Sequence, residues 1–551
     1  MPRHLNFEFM KNLLVALCAF GCLPVGAMID MPAEAFTTTR FEMLPGEDWR
    51  GVANFFGSQM PFDASTSLEI DITQNSYANQ YSSLLLSSRG RVIWCDRQAV
   101  FGFTNGTITV SAPSPVTLTE TGTCLRDAYR FASRTYFPPS GRTPDELFFT
   151  APQYNTWIEF TYRQNEDGIL SYAQSMLDNG LPPGVLMIDS TWQFGYGDWD
   201  FNPRNFRDPK GMVAKLKSMG FKVILWVCPW VSLDSPAFRL LYTGIDPFDE
   251  RRFPRGGLML DSTGYPAAVQ WWDGKSALLD FTHPRGREWF KAQLDRLVAD
   301  YGVSGFKFDG GALRTYLQDF KASRQMPLGD LANLYLDFAL EYPVCEYRHV
   351  WKRGGLPLVE RLHDKNHKWE HLRLLIPDMI GGGLLGHAFM CPDMVGGGEW
   401  HSFLPGAAFD PELFIRSAQV HALCGQMQFS ASPWRVLKDE AHRRIIRDTV
   451  ALRQRFAPRF LALAKECGRT GEPMIRHLDY MFPGHGYGPI KDQFVMGDFL
   501  MVAPQVEKGA ASREVAVPPG RWRADDGTVV EGPTSITVRT PLARLPYFEK
   551  L

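Results

Sequence analysis

"GVLMIDSTWQFGYGDWDFNPRNFRDPKGMVAKLKSMGFKVILWVCP", residues 184–229, contains a strand, a loop, a helix and a second strand. "GVLMID" is apolar at successive positions, so both of its faces need cover, as in a parallel sheet flanked by helices. In "DPKGMVAKLKSMG", Asp208 can cap, Pro209 suits the first helical turn, and Met212, Val213, Leu216 and Met219 share one face before Gly220 ends it. "FKVILWVCP" then resumes the strand pattern. Strand, helix and strand in this order form the building unit of an α/β fold.

The unit recurs on both sides. "TWIEFT" (156–161) precedes it; "ALLDF" (277–281), the helix-like "HPRGREWFKAQLDRLVADYG" (283–302), "VSGFKFD" (303–309), "YPVCEY" (342–347), "GHAFMC" (386–391) and "QMQFS" (426–430) follow. About eight strands separated by helices predict a (β/α)8 TIM barrel over residues 151–455. Residues 28–150 read as an N-terminal β-sandwich, with "SLEIDI", "RVIWC" and the hairpin "AVFGFTNGTITV" around Asn105-Gly106. Residues 456–551, with "REVAVPPGRW" and "SITVRT", read as a small C-terminal β-sandwich domain.

Composition narrows the partners. Of 551 residues, 45% are hydrophobic and 21% charged, and 58 basic side chains face 60 acidic ones. That near-neutral balance argues against nucleic acid as a partner. Aromatic residues reach 13%, with 15 Trp, and flat apolar rings suit sugar faces. "MKNLLVALCAFGCLPVGA" (10–27) places Lys11 before an apolar run and small residues after it, which predicts a signal peptide at residues 1–27 and a secreted or periplasmic protein. A membrane anchor is the other reading, but the run falls short of the ~20 apolar residues that span a bilayer, and Pro24 interrupts it. No integral membrane segment is therefore expected after signal removal. Seven of the nine cysteines lie beyond the leader, an odd number that argues against a full disulfide framework. Cys95 and Cys124 remain open to pairing. Neither a CxxC pair nor HExxH occurs, so no metal site and no cofactor is expected.

Barrel enzymes work at the C-terminal ends of their strands. Asp189 ends "VLMID", Asp280 ends "ALLD", Asp309 ends "GFKFD", Arg348 follows "VCEY" and Asp393 follows "HAFMC". A single such Asp is usually a cap or a turn residue; several on one rim suit glycoside chemistry, in which one carboxylate attacks the anomeric carbon and another protonates the leaving oxygen. Trp226 in its strand, Trp192 and Trp199 after Asp189, and Trp271 and Trp272 before Asp280 add aromatic surface to that rim.

"PQYNTWIEF", "GVLMIDSTWQFGYGDWDFNP", "DPKGMVAKLKSMGFKVILWVCPW", "WWDGKSALLDFTHP" and "GFKFD" together resemble glycoside hydrolase family 31, the retaining α-glycosidases, and within it a subgroup that acts on α-galactosides. The resemblance runs from "LLLSSRGRVIWC" to "PLARLPYF". It implies Asp309 as nucleophile and Lys307, two residues earlier on the same strand face, as a sugar-binding residue. It implies Asp364 as general acid/base, sixteen residues after a sugar-binding Arg348. Asp189, Trp272 and Asp393 match further sugar-site positions, and Trp226 is expected beside them. The implied substrate is an oligosaccharide or glycoside, with α-galactoside favoured; α-glucosides, α-xylosides, transglycosylation and a catalytically dead carbohydrate-binding protein are the alternatives.

Three departures accompany the likeness. Ala312 stands where the family usually has Glu, "RLHD" replaces the usual aromatic-small-Gly-Asp at the acid, and Gln428-Phe429-Ser430 stands for Arg-x-His. The near copies "PDMIGGG" (377–383) and "PDMVGGG" (392–398) place Asp378 ahead of a strand and Asp393 behind it, so the barrel rule favours Asp393 for the site and leaves Asp378 to a turn or helix end. The acid role also requires Asp364 to hold its proton more tightly than an ordinary carboxyl, through burial or His363.

Overall fold

The computed structural model describes residues 35–74 and 79–551, so the leader-like segment lies outside the described residues. Eight parallel strands form a nearly closed barrel. In chain order they are β1 (Gln153–Asn155), β2 (Val185–Ile188), β3 (Lys222–Val227), β4 (Gly305–Phe308), β5 (Val344–Tyr347), β6 (Val359–Arg361), β7 (Met390–Cys391) and β8 (Gln428–Phe429). The order around the sheet is β7-β6-β5-β4-β3-β2-β1-β8. Between β7 and β8 no ladder forms, yet the Val395 amide just past β7 donates to the Gln428 carbonyl at 2.7 Å. The helix after β2 runs Pro209–Ser218, with the Asp208 carboxylate accepting from the Gly211 amide and Met212, Val213 and Leu216 buried.

Two expected strands move. "TWIEFT" does not form the first strand: β1 ends at Asn155, and Trp157–Phe160 is a single helical turn. "ALLDF" is not a barrel strand either. Gly274–Leu278 pairs antiparallel with Ala268–Trp271 and Trp230–Val231 in a three-stranded excursion after β3. Asp280 therefore leaves the rim; it is buried, and its carboxylate caps the Thr282 and Ser323 amides. The vacated place in the barrel belongs to β6, three residues of which two are charged.

The N-terminal region is two facing sheets. One orders Thr37–Glu42, Thr107–Ala112, Val100–Thr104 and Leu68–Asp71; the other runs Gln80–Ser87, Arg91–Cys95 and Val116–Glu120, with Trp49–Ala53 also on Gln80–Ser87. The Asn105-Gly106 hairpin has positive φ at both residues, as its tight turn demands. The second sheet takes one strand, Val350–Trp351, from the barrel's β5–β6 loop, in parallel pairing with Gln80–Tyr81. Leu313 and Trp351 of the barrel region pack into this core with Tyr81, Leu85 and Phe101. At the other end, a 31-residue helix, Glu440–Thr470, runs through the expected boundary at 456, and a six-stranded antiparallel sheet follows from Ile475 to Lys550. Cys95 and Cys124 are free thiols. Among the described residues no helix is long and apolar enough to cross a membrane.

Candidate active site

Strand β4 explains how a carboxylate reaches the rim. Phe306 packs on Tyr342 and Phe308 on Tyr335, outside the barrel, so alternation turns Lys307 inward. Lys307 Nζ donates to Asp189 Oδ2 at 2.6 Å, and both side chains are almost fully buried. Asp309, the next inward position, sits one step higher at the strand's open end. Gly310 and Gly311 follow with φ of +76° and +69°. A side chain at Gly310 would meet the Trp230 ring at 2.1 Å, so the chain turns away directly beneath an indole.

Three donors fix Asp309. Trp226 Nε1 from β3 donates to Oδ2 at 3.0 Å, while Arg348 Nη1 and the Gly310 amide each donate to Oδ1 at 2.9 Å; Lys307 adds its charge from within the barrel. Burial pushes the Asp309 carboxyl up, but Arg348, Lys307 and Arg361 outweigh it and hold the group far below the usual carboxylate range. The carboxylate is thus ionised and oriented, which is the state a nucleophile needs.

Arg348 also donates through Nη2 to Asp364 Oδ2 at 3.2 Å, so one guanidinium spans Asp309 and Asp364. Asp364 keeps 37% of its side chain exposed, whereas Asp309 keeps 10%. Asp364 Oδ1 accepts from Arg361 Nη1 at 2.6 Å. Burial raises the Asp364 carboxyl, yet Arg348 and Arg361 lower it below its ordinary range. The expectation of a raised value is therefore not met in this unliganded arrangement, because two guanidiniums face the group. His363 does not supply the missing effect, since burial and Lys365 push it down to about 3 and leave it neutral.

The structure brings Asp189, Lys307, Trp226, Asp309, Arg348 and Asp364 together at one end of β2–β6. Trp226 is buried, so it meets Asp309 from below. Trp272 is 48% exposed at the rim and stands edge-on to Trp230 and Trp271, which stack at 4.2 Å between centroids. Asp393 is fully buried with φ +79°, and it accepts from Arg361 at 3.0 Å and from the amides of Lys365 and Gly398 at 2.8 and 2.9 Å. Through the Lys365 amide and Arg361 it holds the loop that carries Asp364. Asp378 lies inside the helix Trp369–Leu384, buried, and takes the Lys365 ammonium at 2.6 Å.

Sequence reasoning missed Arg361, Glu346 and Trp230. Arg361 Nε lies 3.3 Å from Glu346 Oε1 inside the barrel, and Glu346 Oε2 accepts from Gln428 at 2.6 Å. The available signal was a charge inside an apolar strand, Glu346 in "VCEY", which demands a buried partner. Gln428, at the place of the family's Arg, also donates to Gln153 and accepts from Asn155, closing the polar layer below the site.

Residues 152–337 match the glycosyl hydrolases family 31 TIM-barrel domain and residues 471–550 the glycosyl hydrolase family 31 C-terminal domain. These segments are domains of glycosyl hydrolase family 31. Among curated relatives, the myogenesis-regulating glycosidase of Mus musculus is 33% identical over 423 residues, 74% of this chain and 57% of that protein. Alpha-glucosidase 2 of Bacillus thermoamyloliquefaciens is 26% identical over 70% of this chain and 51% of its own length. The chain thus spans little more than half the length of these relatives. Among solved structures, a Flavobacterium johnsoniae family 31 dextranase complexed with glucose superposes with a TM-score of 0.79 at 20% identity, covering 94% of this chain and 67% of that one, which shows a shared fold.

Proposed function

We propose that this chain is a retaining α-glycoside hydrolase in which Asp309 is the nucleophile and Asp364 the general acid/base. One observation carries the reading: a single guanidinium, Arg348, touches an ionised, fully oriented carboxylate and a second, half-open one across a pocket at the barrel rim. Two carboxylates spanned by one group suit attack and protonation on opposite sides of one anomeric carbon. A seated sugar takes over the Arg348 donors through its hydroxyls. Asp364 then loses one of its two cations, and its proton affinity rises as the leaving oxygen arrives. Asp309 forms the bond to the anomeric carbon as the Asp364 proton moves to the departing oxygen. Water later repeats the path in reverse through Asp364.

The exposed Trp272 supports an apolar sugar face stacking at the mouth. The resemblance of the barrel motifs, "GFKFD" among them, to a subgroup that acts on α-galactosides favours α-galactosides, with α-glucosides and α-xylosides next. The leader-like residues 10–27 support export, which N-terminal sequencing of the mature chain checks. A panel of aryl α-glycosides (galactose, glucose, xylose, N-acetylgalactosamine), followed by labelling with the matching 5-fluoro glycosyl fluoride, tests the rest. Label on Asp309 is the expected result; turnover of no α-glycoside, or label elsewhere, sinks the reading and leaves a carbohydrate-binding protein. Asp364→Ala should lose about 10² to 10⁴ in kcat on a poor leaving group.

A further inference from the structure

Arg361 is the last residue of β6 and is buried. Its Nη1 donates to Asp364 Oδ1 at 2.6 Å, to Asp393 Oδ1 at 3.0 Å and to the Leu362 carbonyl at 3.2 Å, while Nε faces Glu346. Behind it, Asp393 Oδ2 accepts from the Lys365 amide, the residue next to Asp364, and the Lys365 ammonium is taken by Asp378. The loop carrying Asp364 is therefore gripped at three points, and only the Asp364 carboxylate reaches the mouth. Arg361 and Arg348 together face four carboxylates, Asp309, Glu346, Asp364 and Asp393. Guanidinium does not give up a proton in proteins, so the proton that catalysis needs resides on these carboxylates.

We propose that Arg361 is the positioning residue for proton transfer in this chain: it fixes the Asp364 carboxylate at the mouth and divides one positive charge between Asp364 and Asp393. The proposal rests on Asp364 being the acid/base. Burial away from water pushes the Asp393 carboxyl up to about 6, against the pull of Arg361. When Asp364 passes its proton to the leaving oxygen, the new negative charge falls on an oxygen already hydrogen-bonded to Arg361. The other titratable or charged groups around Asp364, by element, are Asp309 after β4, Arg348 after β5, Arg314 on the turn Leu313–Tyr316, and the neutral His363 with Lys365 in its own loop.

The test compares Arg361→Met, Arg361→Lys, Asp393→Asn and Asp364→Ala on two substrates, a glycoside with a poor leaving group and a glycosyl fluoride, which needs no proton donor. Arg361→Met removes a cation from Asp364, raises its pKa, and so moves the alkaline limb of kcat/KM to higher pH by about one unit. It should cost on the order of 100-fold on the poor leaving group and little on the fluoride. Arg361→Lys should return the limb toward the wild-type position. Asp393→Asn removes a negative neighbour and should move the limb the other way. Equal loss on both substrates, or an alkaline limb that stays put in Arg361→Met, overturns the proposal. Should Arg361→Met not fold, Asp393→Asn decides, a downward shift supporting and a fixed limb overturning. An Asp364→Ala enzyme whose kcat/KM falls equally on both substrates overturns the acid assignment itself, which distinguishes the two failures.

Discussion

The Trp226 indole is buried and spends its only donor on Asp309. A hydrogen bond to a charged group contributes about 1.5–3 kcal/mol, so Trp226→Phe should lower kcat roughly 10- to 100-fold. KM should barely move, because the ring is buried beneath Asp309; steady-state kinetics on an aryl glycoside checks this. Lys307 and Asp189 raise a different question, that of an ion pair sealed inside a barrel. Removing one partner of such a pair costs about 3–5 kcal/mol, whereas replacing both by apolar groups can be nearly neutral. Urea denaturation should therefore show Lys307→Met strongly destabilised and the Lys307→Met/Asp189→Leu double variant largely recovered.

Among the elements, the turn after β4 is the most constrained. Gly310 has positive φ and lies against Trp230, so Gly310→Ala meets both a strained backbone and a ring. The backbone alone costs about 1–2 kcal/mol. Because Trp230 stacks on Trp271 and touches Trp272, the expected result is a shift in tryptophan fluorescence together with a fall in kcat. Elements also show what a sequence can disclose. The long apolar strands β2, β3 and β4 stood out because their residues are covered on both faces, and each delivered its terminal carboxylate or indole where the barrel rule puts it. "ALLDF" misled for the same reason: an antiparallel excursion buries a strand as fully as a barrel does. Strand β6 escaped notice because Glu360 and Arg361 are charged, their cost met by His387 at 3.0 Å and by the site carboxylates. Hydropathy cannot see a strand whose partners come from its neighbours β5 and β7 and from the loop that follows it. Asp364 likewise came from likeness to a family, since its loop has no pattern of its own.

Over the whole molecule, the N-terminal sheet reaches into the site. Gln80 Nε2 donates to the carbonyls of Arg348 at 2.9 Å and Arg361 at 3.2 Å, and Asn79 Nδ2 donates to Arg361 O at 2.9 Å. Both arginines that face Asp364 are thus held at their backbones by another domain. Gln80→Ala takes the side-chain donor from the Arg348 carbonyl, at about 1–3 kcal/mol, while Asn79 still serves Arg361. It should reduce kcat/KM several-fold while far-UV circular dichroism stays unchanged.

The strand Val350–Trp351 carries a consequence in time. On the ribosome, Gln80–Ser87 emerges some 270 residues before the segment that covers the start of its edge. Until then that edge offers unpaired amides and carbonyls to any passing strand. The sandwich therefore waits, incomplete, through most of the barrel's synthesis. Its final strand lies between Arg348 and Asp364, so one loop both closes that sheet and carries two of the site's charged groups.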